Sequence, residues 1–281
     1  MGCGNCSSGA CGTSTTPAGC KSNGNCNTGG CGKLDVFDWL SGMELSSVQH
    51  PSVAEIRFKN TRKDFYKYDQ DMSPVVGDIV VVESSHGYDV GTVSLTGELV
   101  SVQMKKKKTS SGNQSLRIKN LANQEDIDRW QKFQEKEENC MIQARKAAKE
   151  LGLEMKISDV EYQGDGTKAT FYYTSEGRVD FRDLIKTLAG KFKIRVEMKQ
   201  IGTRQEAGRL GGIGSCGREL CCSTWLSDFR TVSTSAARYQ QLAINPIKLA
   251  GQCGKLKCCL NYELDCYVDA LKEFPKGNIK L

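Results

Sequence analysis

The chain lacks the segments that membrane-spanning proteins, exported proteins and several classes of enzyme need. No window offers the run of about 18 consecutive apolar residues that a membrane-spanning helix requires, and the start, MGCGNCSSGACG, lacks the apolar segment of a secretory signal. The sequence also has no GxSxG elbow, no Walker phosphate loop and no HExxH zinc motif. We therefore expect a protein of the cytoplasm with no integral membrane segment.

Histidine is scarce, whereas cysteine is abundant. The 281 residues include two histidines, His50 and His86, against fourteen cysteines. Without an export signal, so many cysteines favour metal binding or redox chemistry over disulfides. A metal site is then expected to be all sulfur, which suits an iron–sulfur cluster or structural zinc and disfavours an open catalytic zinc site.

Six of the cysteines lie in a tail, residues 1–33, that is rich in glycine, serine and asparagine. Its segment GNCSSGACG returns as GNCNTGGCG twenty residues later. Nothing in the tail could fill a hydrophobic core, so we expect no regular structure without a ligand. The composition is compatible with metal capture and equally with an extension that has no fixed role. The tail cysteines are Cys3, Cys6, Cys11, Cys20, Cys26 and Cys31.

The middle of the chain predicts an α+β fold. Residues 50–110 form a β-rich N-terminal part, because short apolar runs such as Ala54–Phe58 and Ile79–Val82 are bounded by turn residues. Residues 118–203 are expected to form a ferredoxin-like core. With a strand near Leu99–Met104 in front, the elements follow the order β-α-β-β-α-β of that fold.

Local signals mark the elements of this core. Asn123 is expected to cap a long helix that stops at Gly152, because Asp126 stands three residues after the cap and apolar residues recur at helical spacing. The further expected elements are strands Glu154–Tyr162 and Ala169–Thr174, a helix Phe181–Ala189 capped by Asp180, and a strand Lys193–Gln200.

The last part of the chain, residues 204–281, carries a repeated cysteine motif and is expected to contain short helices. The pattern C-G-[RK]-x-x-C-C occurs twice, thirty-seven residues apart. Glycine after the first cysteine lets the backbone turn tightly, so that the later sulfurs can converge with the first. Six sulfurs exceed the four that one zinc ion or one four-iron cluster needs. Either four ligate one centre, or two centres take further ligands. The motif cysteines are Cys216, Cys221, Cys222, Cys253, Cys258 and Cys259.

Other cysteines have a simpler interpretation. Cys140 lies in the apolar stripe of the long helix and is expected in the core. Cys266 could be a spare ligand, but we expect it to pack. Within the motifs, Cys222 and Cys259 are followed by small or apolar residues and could equally pack as small hydrophobic side chains.

Positive charge is concentrated around the motifs. Residues 201–259 contain eight bases and three acids, an excess of five out of the chain's net charge of +6. This charge could attract RNA or an acidic partner, or it could offset thiolates. We expect a basic docking surface at Arg218, Lys255 and Lys257.

The segments around these motifs resemble the bacterial RicT (YaaT) family. The resemblance covers residues 53–267 and implies a polymerase-suppressor-one C-terminal domain near Ile118–Thr203. The matching segments are GRVDFR from Gly177, QIGTRQEA from Gln200, LGGIG from Leu210, NPIK from Asn245 and LNYE from Leu260, together with both cysteine motifs.

The resemblance implies a regulatory factor without catalytic activity. Family members work with two small helical proteins, RicA and RicF, in a complex that carries iron–sulfur clusters. That complex acts with the membrane-anchored endoribonuclease Y in the maturation and turnover of transcripts, so membrane association would come through a partner. By position, the cluster ligands fall on the six motif cysteines, and a four-iron, four-sulfur cluster is expected.

Two other functions use the same cysteines. Zinc could stabilise an RNA-binding or scaffold protein, in which the thiols are purely structural. Alternatively, a thiol redox enzyme could use the neighbouring pair Cys221 and Cys222, although the sequence shows no substrate pocket for it. Metal content separates the cluster from the zinc site.

Overall fold

The structure is a computed structural model that describes residues 52–60, 62–69, 71–107 and 116–274. The tail, residues 1–33, lies outside the described residues, so the expectations for its six thiols stay predictions. Within the described ranges, no helix is both long and apolar enough to cross a membrane.

Five antiparallel strands form the first sheet: β1 (Val53–Arg57), β2 (Lys63–Lys67), β3 (Ile79–Glu83), β4 (Tyr88–Leu95) and β5 (Ile118–Leu121). Their order across the sheet is β2-β1-β4-β3-β5. Alternating side chains supply two small cores, one with Ile56 and Val82 and the other with Val53 and Phe65. The β-rich N-terminal part that the sequence predicts is confirmed.

The predicted strand at Leu99–Met104 is wrong, because these residues lie in helix α1, Glu98–Lys106. Val100 and Met104 stand four residues apart and therefore share one side of the helix, which packs with Leu99 against Phe65 and Leu95. The β-branched valines favour a strand locally, but burial of this helical face against the sheet decides the conformation.

The second unit packs two helices on a three-stranded sheet. A core of small residues on the long helix, including Cys140 and Ala144, meets Leu184 and Leu188 of the second helix and Phe171 of the sheet. Cys140 is 3% exposed, so its predicted place in the core is confirmed. The elements are α2 (Gln124–Glu150), β6 (Lys156–Tyr162), β7 (Lys168–Thr174), α3 (Arg182–Phe192) and β8 (Arg195–Gln200).

The predicted helix cap is confirmed. The Asn123 side chain accepts from the Asp126 N–H at 2.8 Å, and the Asp126 carboxylate accepts from the Asn123 N–H at 3.3 Å. These two bonds satisfy donors that the first turn of a helix leaves without intrahelical partners.

The α+β class and the order β-α-β-β-α-β are confirmed, with β5 as the opening strand. However, β5 pairs with β3 of the first sheet, while β7 pairs with β6 on one side and directly with β8, in parallel, on the other. A ferredoxin-like sheet would place the opening strand between β7 and β8. Here Ile118 is the buried residue of β5, and it packs with Val80 and Val82 of the first core instead.

A network of ion pairs joins the two units. Lys59, after β1, donates to the carboxylates of Glu137 on α2 at 2.6 Å and Asp159 on β6 at 2.7 Å. Arg62 bridges Asp89 at 2.6 Å and Glu161 at 2.8 Å. These side chains are mostly buried, so their charges are weakly screened by water.

Asp159 is shared by three parts of the chain. Besides Lys59, it accepts from the Asn60 amide at 2.8 Å and from the Arg209 guanidinium at 2.9 Å. Arg209 lies on the next helix, α4 (Thr203–Leu210), and its guanidinium also stacks on the Tyr172 ring at 3.6 Å. One carboxylate thus connects the first sheet, the second sheet and the segment that leads to the cysteine motifs.

We predict that Asp159→Ala lowers the free energy of unfolding by about 3 kcal/mol, because it leaves two buried cations without their shared carboxylate. Urea unfolding followed by circular dichroism measures the change. Asp69→Ala is the matched control, since Asp69 pairs with Arg117 at 3.5 Å on the surface, and its loss should change stability by less than about 1 kcal/mol. Equal, small changes in both variants would contradict the role given to Asp159.

Candidate metal centre

Short helices follow β8, as the sequence predicts for this segment. A small core that includes Ala236, Ala237, Leu249 and Leu260 holds several of them together. After α4, the helices are α5 (Cys221–Thr224), α6 (Thr234–Tyr239), α7 (Pro246–Leu249), α8 (Cys259–Tyr262) and α9 (Leu264–Glu273).

The first cysteine motif folds into a tight hairpin, here named the first cysteine loop, residues 212–226. The Gly214 N–H donates to the Arg218 carbonyl at 2.7 Å, and the Gly217 N–H donates back to the Gly214 carbonyl at 2.9 Å. Gly217 has φ +76°, a left-handed conformation that glycine adopts without strain. The turn that the sequence predicts after Cys216 is therefore made by this glycine.

The second cysteine loop, residues 249–263, repeats these contacts thirty-seven residues later. The Gly251 N–H donates to the Lys255 carbonyl at 2.8 Å, and the Gly254 N–H donates to the Gly251 carbonyl at 3.0 Å. Gly254 has φ +74°, within two degrees of its counterpart. The repeat in the sequence is thus a repeat in the backbone.

The two loops also contact each other. Trp225 and Tyr262, which occupy equivalent positions in the two loops, contact each other with ring centroids 4.7 Å apart and ring planes tilted by 58°. The Gln252 amide of the second loop donates to the Ile213 carbonyl of the first. The loops therefore form a structurally equivalent pair with a shared space between them.

That space is a cavity of about 380 Å³, and all six motif cysteines line it. Among the described residues, no three cysteine, histidine, aspartate or glutamate side chains converge closely enough to hold a single metal ion. The sulfurs thus surround a volume instead of meeting at a point. The cysteines in its wall are Cys216, Cys221, Cys222, Cys253, Cys258 and Cys259.

The cavity thiols differ in burial. Cys222 is buried and Cys216 is exposed, while the other four lie between these extremes. Burial raises the pKa of the thiols of Cys222, Cys258 and Cys259, and neighbouring thiols raise it further. These three are therefore protonated at neutral pH, and a metal that binds them must displace the protons.

Helix α4 forms one side of the site. A Cβ atom at Gly208 would lie 2.7 Å from the Cys222 carbonyl oxygen, so glycine permits the close approach of α4 to the first loop. Arg204, one turn earlier, lines the cavity and is 7% exposed. Its Nη1 donates to the Arg230 carbonyl at 3.1 Å and its Nη2 to the Leu256 carbonyl at 2.9 Å. Its Nε–H is buried with no hydrogen-bond partner among the described residues.

Arg204 is a site residue that the sequence analysis does not single out. In the sequence it is one of eight basic residues near the motifs, and its spacing from the two cysteine motifs gives no sign of its role. Its place in the QIGTRQEA segment, just before the glycine-rich stretch, is the one available signal.

The remaining predicted residues lie around the cavity or apart from it. Arg218 and Lys255 are exposed at equivalent turns, and Lys257 is half-buried in the cavity wall. The basic docking surface remains a prediction. Cys266 is exposed on α9, so the expectation that it packs is wrong. The packing of the C-terminal core leaves it outside the cavity.

Comparison with known proteins agrees with the resemblance read from the motifs. The PSP1 C-terminal conserved region matches residues 116–201, and the third domain of PSP1-like proteins matches residues 231–274. The stage 0 sporulation protein YaaT of Bacillus subtilis is 40% identical over 230 residues, which cover 80% of this chain and 79% of that protein. The chain belongs to the YaaT family.

Membership of the YaaT family supports a regulatory role. More limited similarities extend to proteins of fungi. An uncharacterized protein of Schizosaccharomyces pombe is 26% identical over 51% of this chain and 22% of that protein. Protein PSP1 of Saccharomyces cerevisiae is 52% identical over 44 residues, which cover 16% of this chain and 5% of that protein. No solved structure gives a significant match.

We predict that Gly217→Ala and Gly254→Ala each destabilise their loop by about 1 kcal/mol, because alanine is strained in the left-handed conformation. In the metal-free protein, the buried cavity thiols react slowly because a disulfide reagent reaches them only when the loop opens locally. In these variants they should react about 5-fold faster. Gly177→Ala is the control, because this glycine has open space around it and no left-handed φ. A control as reactive as the loop variants would refute the prediction.

Proposed function

We propose that this YaaT-family protein is a non-enzymatic regulatory factor that holds an iron–sulfur cluster between its two cysteine loops. The observation that carries the proposal is the cavity of about 380 Å³ lined by six cysteines from two equivalent loops. The regulatory part rests on family membership and on a relative whose name is that of a sporulation protein.

The donor set and the space fit a cluster. All six candidate ligands are sulfur, which is the ligand type of iron–sulfur clusters. A tetrahedral zinc ion draws four thiolates to about 2.3 Å and needs no cavity, and a single water needs only about 15 Å³. A space of about 380 Å³ without a single-ion site therefore suits a group of several atoms. When bound, a cluster would make the protein sensitive to oxidants and able to transfer electrons.

The chain's own residues would hold the two loops in one relative position once the cluster is bound. Ligands from both loops would lock α5 and α8 against each other, because each helix begins at or next to a motif cysteine. The exposed turns at Arg218 and Lys255 would then be held in one relative position. This is the surface on which we place partner docking, and loss of the cluster would loosen it.

The proposed partners are proteins similar to RicA and RicF, acting together with an endoribonuclease such as endoribonuclease Y. In this complex the protein would modulate the maturation and turnover of mRNA from the cytoplasm. Its excess of positive charge near the loops favours acidic partner surfaces.

A second candidate is a zinc-stabilised protein that binds RNA. The observation in its favour is the aromatic pair of Trp225 and Tyr262, which are 49% and 68% exposed close to the basic loops. Exposed aromatic rings beside cations can stack on single-stranded bases. RNA binding whose affinity stays constant as the salt concentration is raised would remove this candidate, since contacts to phosphates weaken steeply with salt.

Metal content tests the proposal. We predict that protein purified without oxygen contains iron and acid-labile sulfide in equal amounts, and that a variant with its six tail cysteines changed to serine keeps both. The reason is that the cavity thiols suffice to hold the cluster. Iron, sulfide and zinc assays with a visible spectrum give the result. A colourless protein with one zinc per chain and no sulfide would favour the second candidate instead.

We further predict that the double substitution Cys216→Ser and Cys253→Ser abolishes partner capture, because it removes one ligand from each loop. Pull-down with the RicA- and RicF-type proteins measures this, and far-UV circular dichroism shows whether the two sheets remain folded. Cys266→Ser is the matched control, because Cys266 is exposed and outside the cavity. Normal capture by the folded double variant would refute the locking of the loops.

A further inference from the structure

Arg204 has an unusual environment for an arginine. It is 7% exposed, and it lies in the cavity wall rather than at the surface. Two of its nitrogens are bound to backbone carbonyls, which are neutral. Among the described residues, it forms no salt bridge with a carboxylate, and its Nε–H has no acceptor.

Such a residue is unfavourable unless something else meets its needs. A buried charge without a counter-ion is strongly destabilising, and a buried N–H without an acceptor adds the loss of its hydration. Arg209, on the same helix, shows the usual solution, because it pairs with Asp159 at 2.9 Å. Among the described residues Arg204 has no such partner, so an anion beside it would complete its environment.

The cavity offers the anion. Arg204 lines the same cavity as the six motif cysteines, so its charge faces the space that these sulfurs surround. Once thiolates bind zinc or an iron–sulfur cluster, the negative charge of the ligands exceeds the positive charge of the metal. The resulting group is an anion whose surface consists of sulfur, a hydrogen-bond acceptor that arginine can reach.

We propose that Arg204 is the counter-ion and hydrogen-bond donor of the group held in the cysteine cavity, with its Nε–H donating to a thiolate or sulfide sulfur. The proposal rests on the thiolate-bound centre proposed above and deepens it. Arg204 acts as a tuning residue: its Nη atoms bind the Arg230 and Leu256 carbonyls and orient the guanidinium, which leaves Nε for the bound group.

This role predicts two properties that a purely structural arginine would not control together. The first is affinity, because partners of metal ligands typically contribute a factor of about 10–100 in metal binding. The second is the reduction potential of an iron–sulfur centre, which depends on hydrogen bonds to its sulfurs and on nearby charge. Since reduction adds negative charge, removing Arg204 should shift the potential to more negative values.

The test compares Arg204→Gln, Arg204→Lys and a control, Arg230→Gln, in the full chain. The Arg230 side chain is 84% exposed, so the control removes the same charge outside the cavity. Two quantities are measured: the affinity of the metal-free protein for zinc alone, by competition with a coloured chelator, and the reduction potential of the centre reconstituted with iron and sulfide.

We expect Arg204→Gln to bind zinc about 10–100-fold more weakly and to have a more negative potential. Arg204→Lys keeps the charge but lacks the guanidinium donors, so its loss should be smaller. Arg230→Gln should match the unaltered protein in both. If Arg204→Gln does not fold, as circular dichroism would show, Arg204→Lys decides the matter. A folded Arg204 variant with unchanged affinity and potential would overturn the proposal.

The outcomes also separate this proposal from the one on which it rests. If the unaltered chain binds neither zinc nor iron and sulfide at the cavity thiols, the metal centre itself is refuted. If the unaltered chain binds them and the Arg204 variants bind them equally well, the metal centre stands and the role of Arg204 falls.

Discussion

Thiolates gathered in one cavity repel each other and lose hydration, and this constraint shapes the surrounding chain. Glycines at φ +76° and +74° bring each loop around tightly enough to present its cysteines to the same space. Burial raises the pKa of the thiols of Cys222, Cys258 and Cys259, so a metal that bound them would have to displace their protons. Arg204 supplies positive charge from within the wall. These features suit the anionic, sulfur-bound group that we propose for the site.

Helix α4 connects this site to the rest of the molecule. It contacts the first cysteine loop at Gly208, it lines the cavity with Arg204, and it reaches Asp159 of the second sheet with Arg209. Asp159 in turn binds Lys59 from the first sheet at 2.7 Å. If loss of the proposed metal centre moved α4, the change would therefore reach the ion pairs that join the two units.

The parts that the sequence predicts correctly are those governed by local rules. Asn123 and Asp126 form the expected capping box, and the repeated Cys-Gly motif gives the same hairpin twice. Choices between distant partners are not encoded locally. The valines of α1 favour a strand locally, but packing of one helical face against the first sheet decides the conformation. Strand β5 pairs with the first sheet because Ile118 packs in its core. Arg204 was missed for the same reason, since its cavity is assembled from segments up to fifty-five residues away.

The central claim is that both loops hold one shared group. The most direct measurement is the iron and sulfide content of two variants, one with Cys216 and Cys221 changed to serine and the other with Cys253 and Cys258 changed. Because the loops face one cavity, the account predicts that either variant loses all of its bound iron and sulfide. Retention of half the content in each variant would show two independent centres and would contradict the shared site.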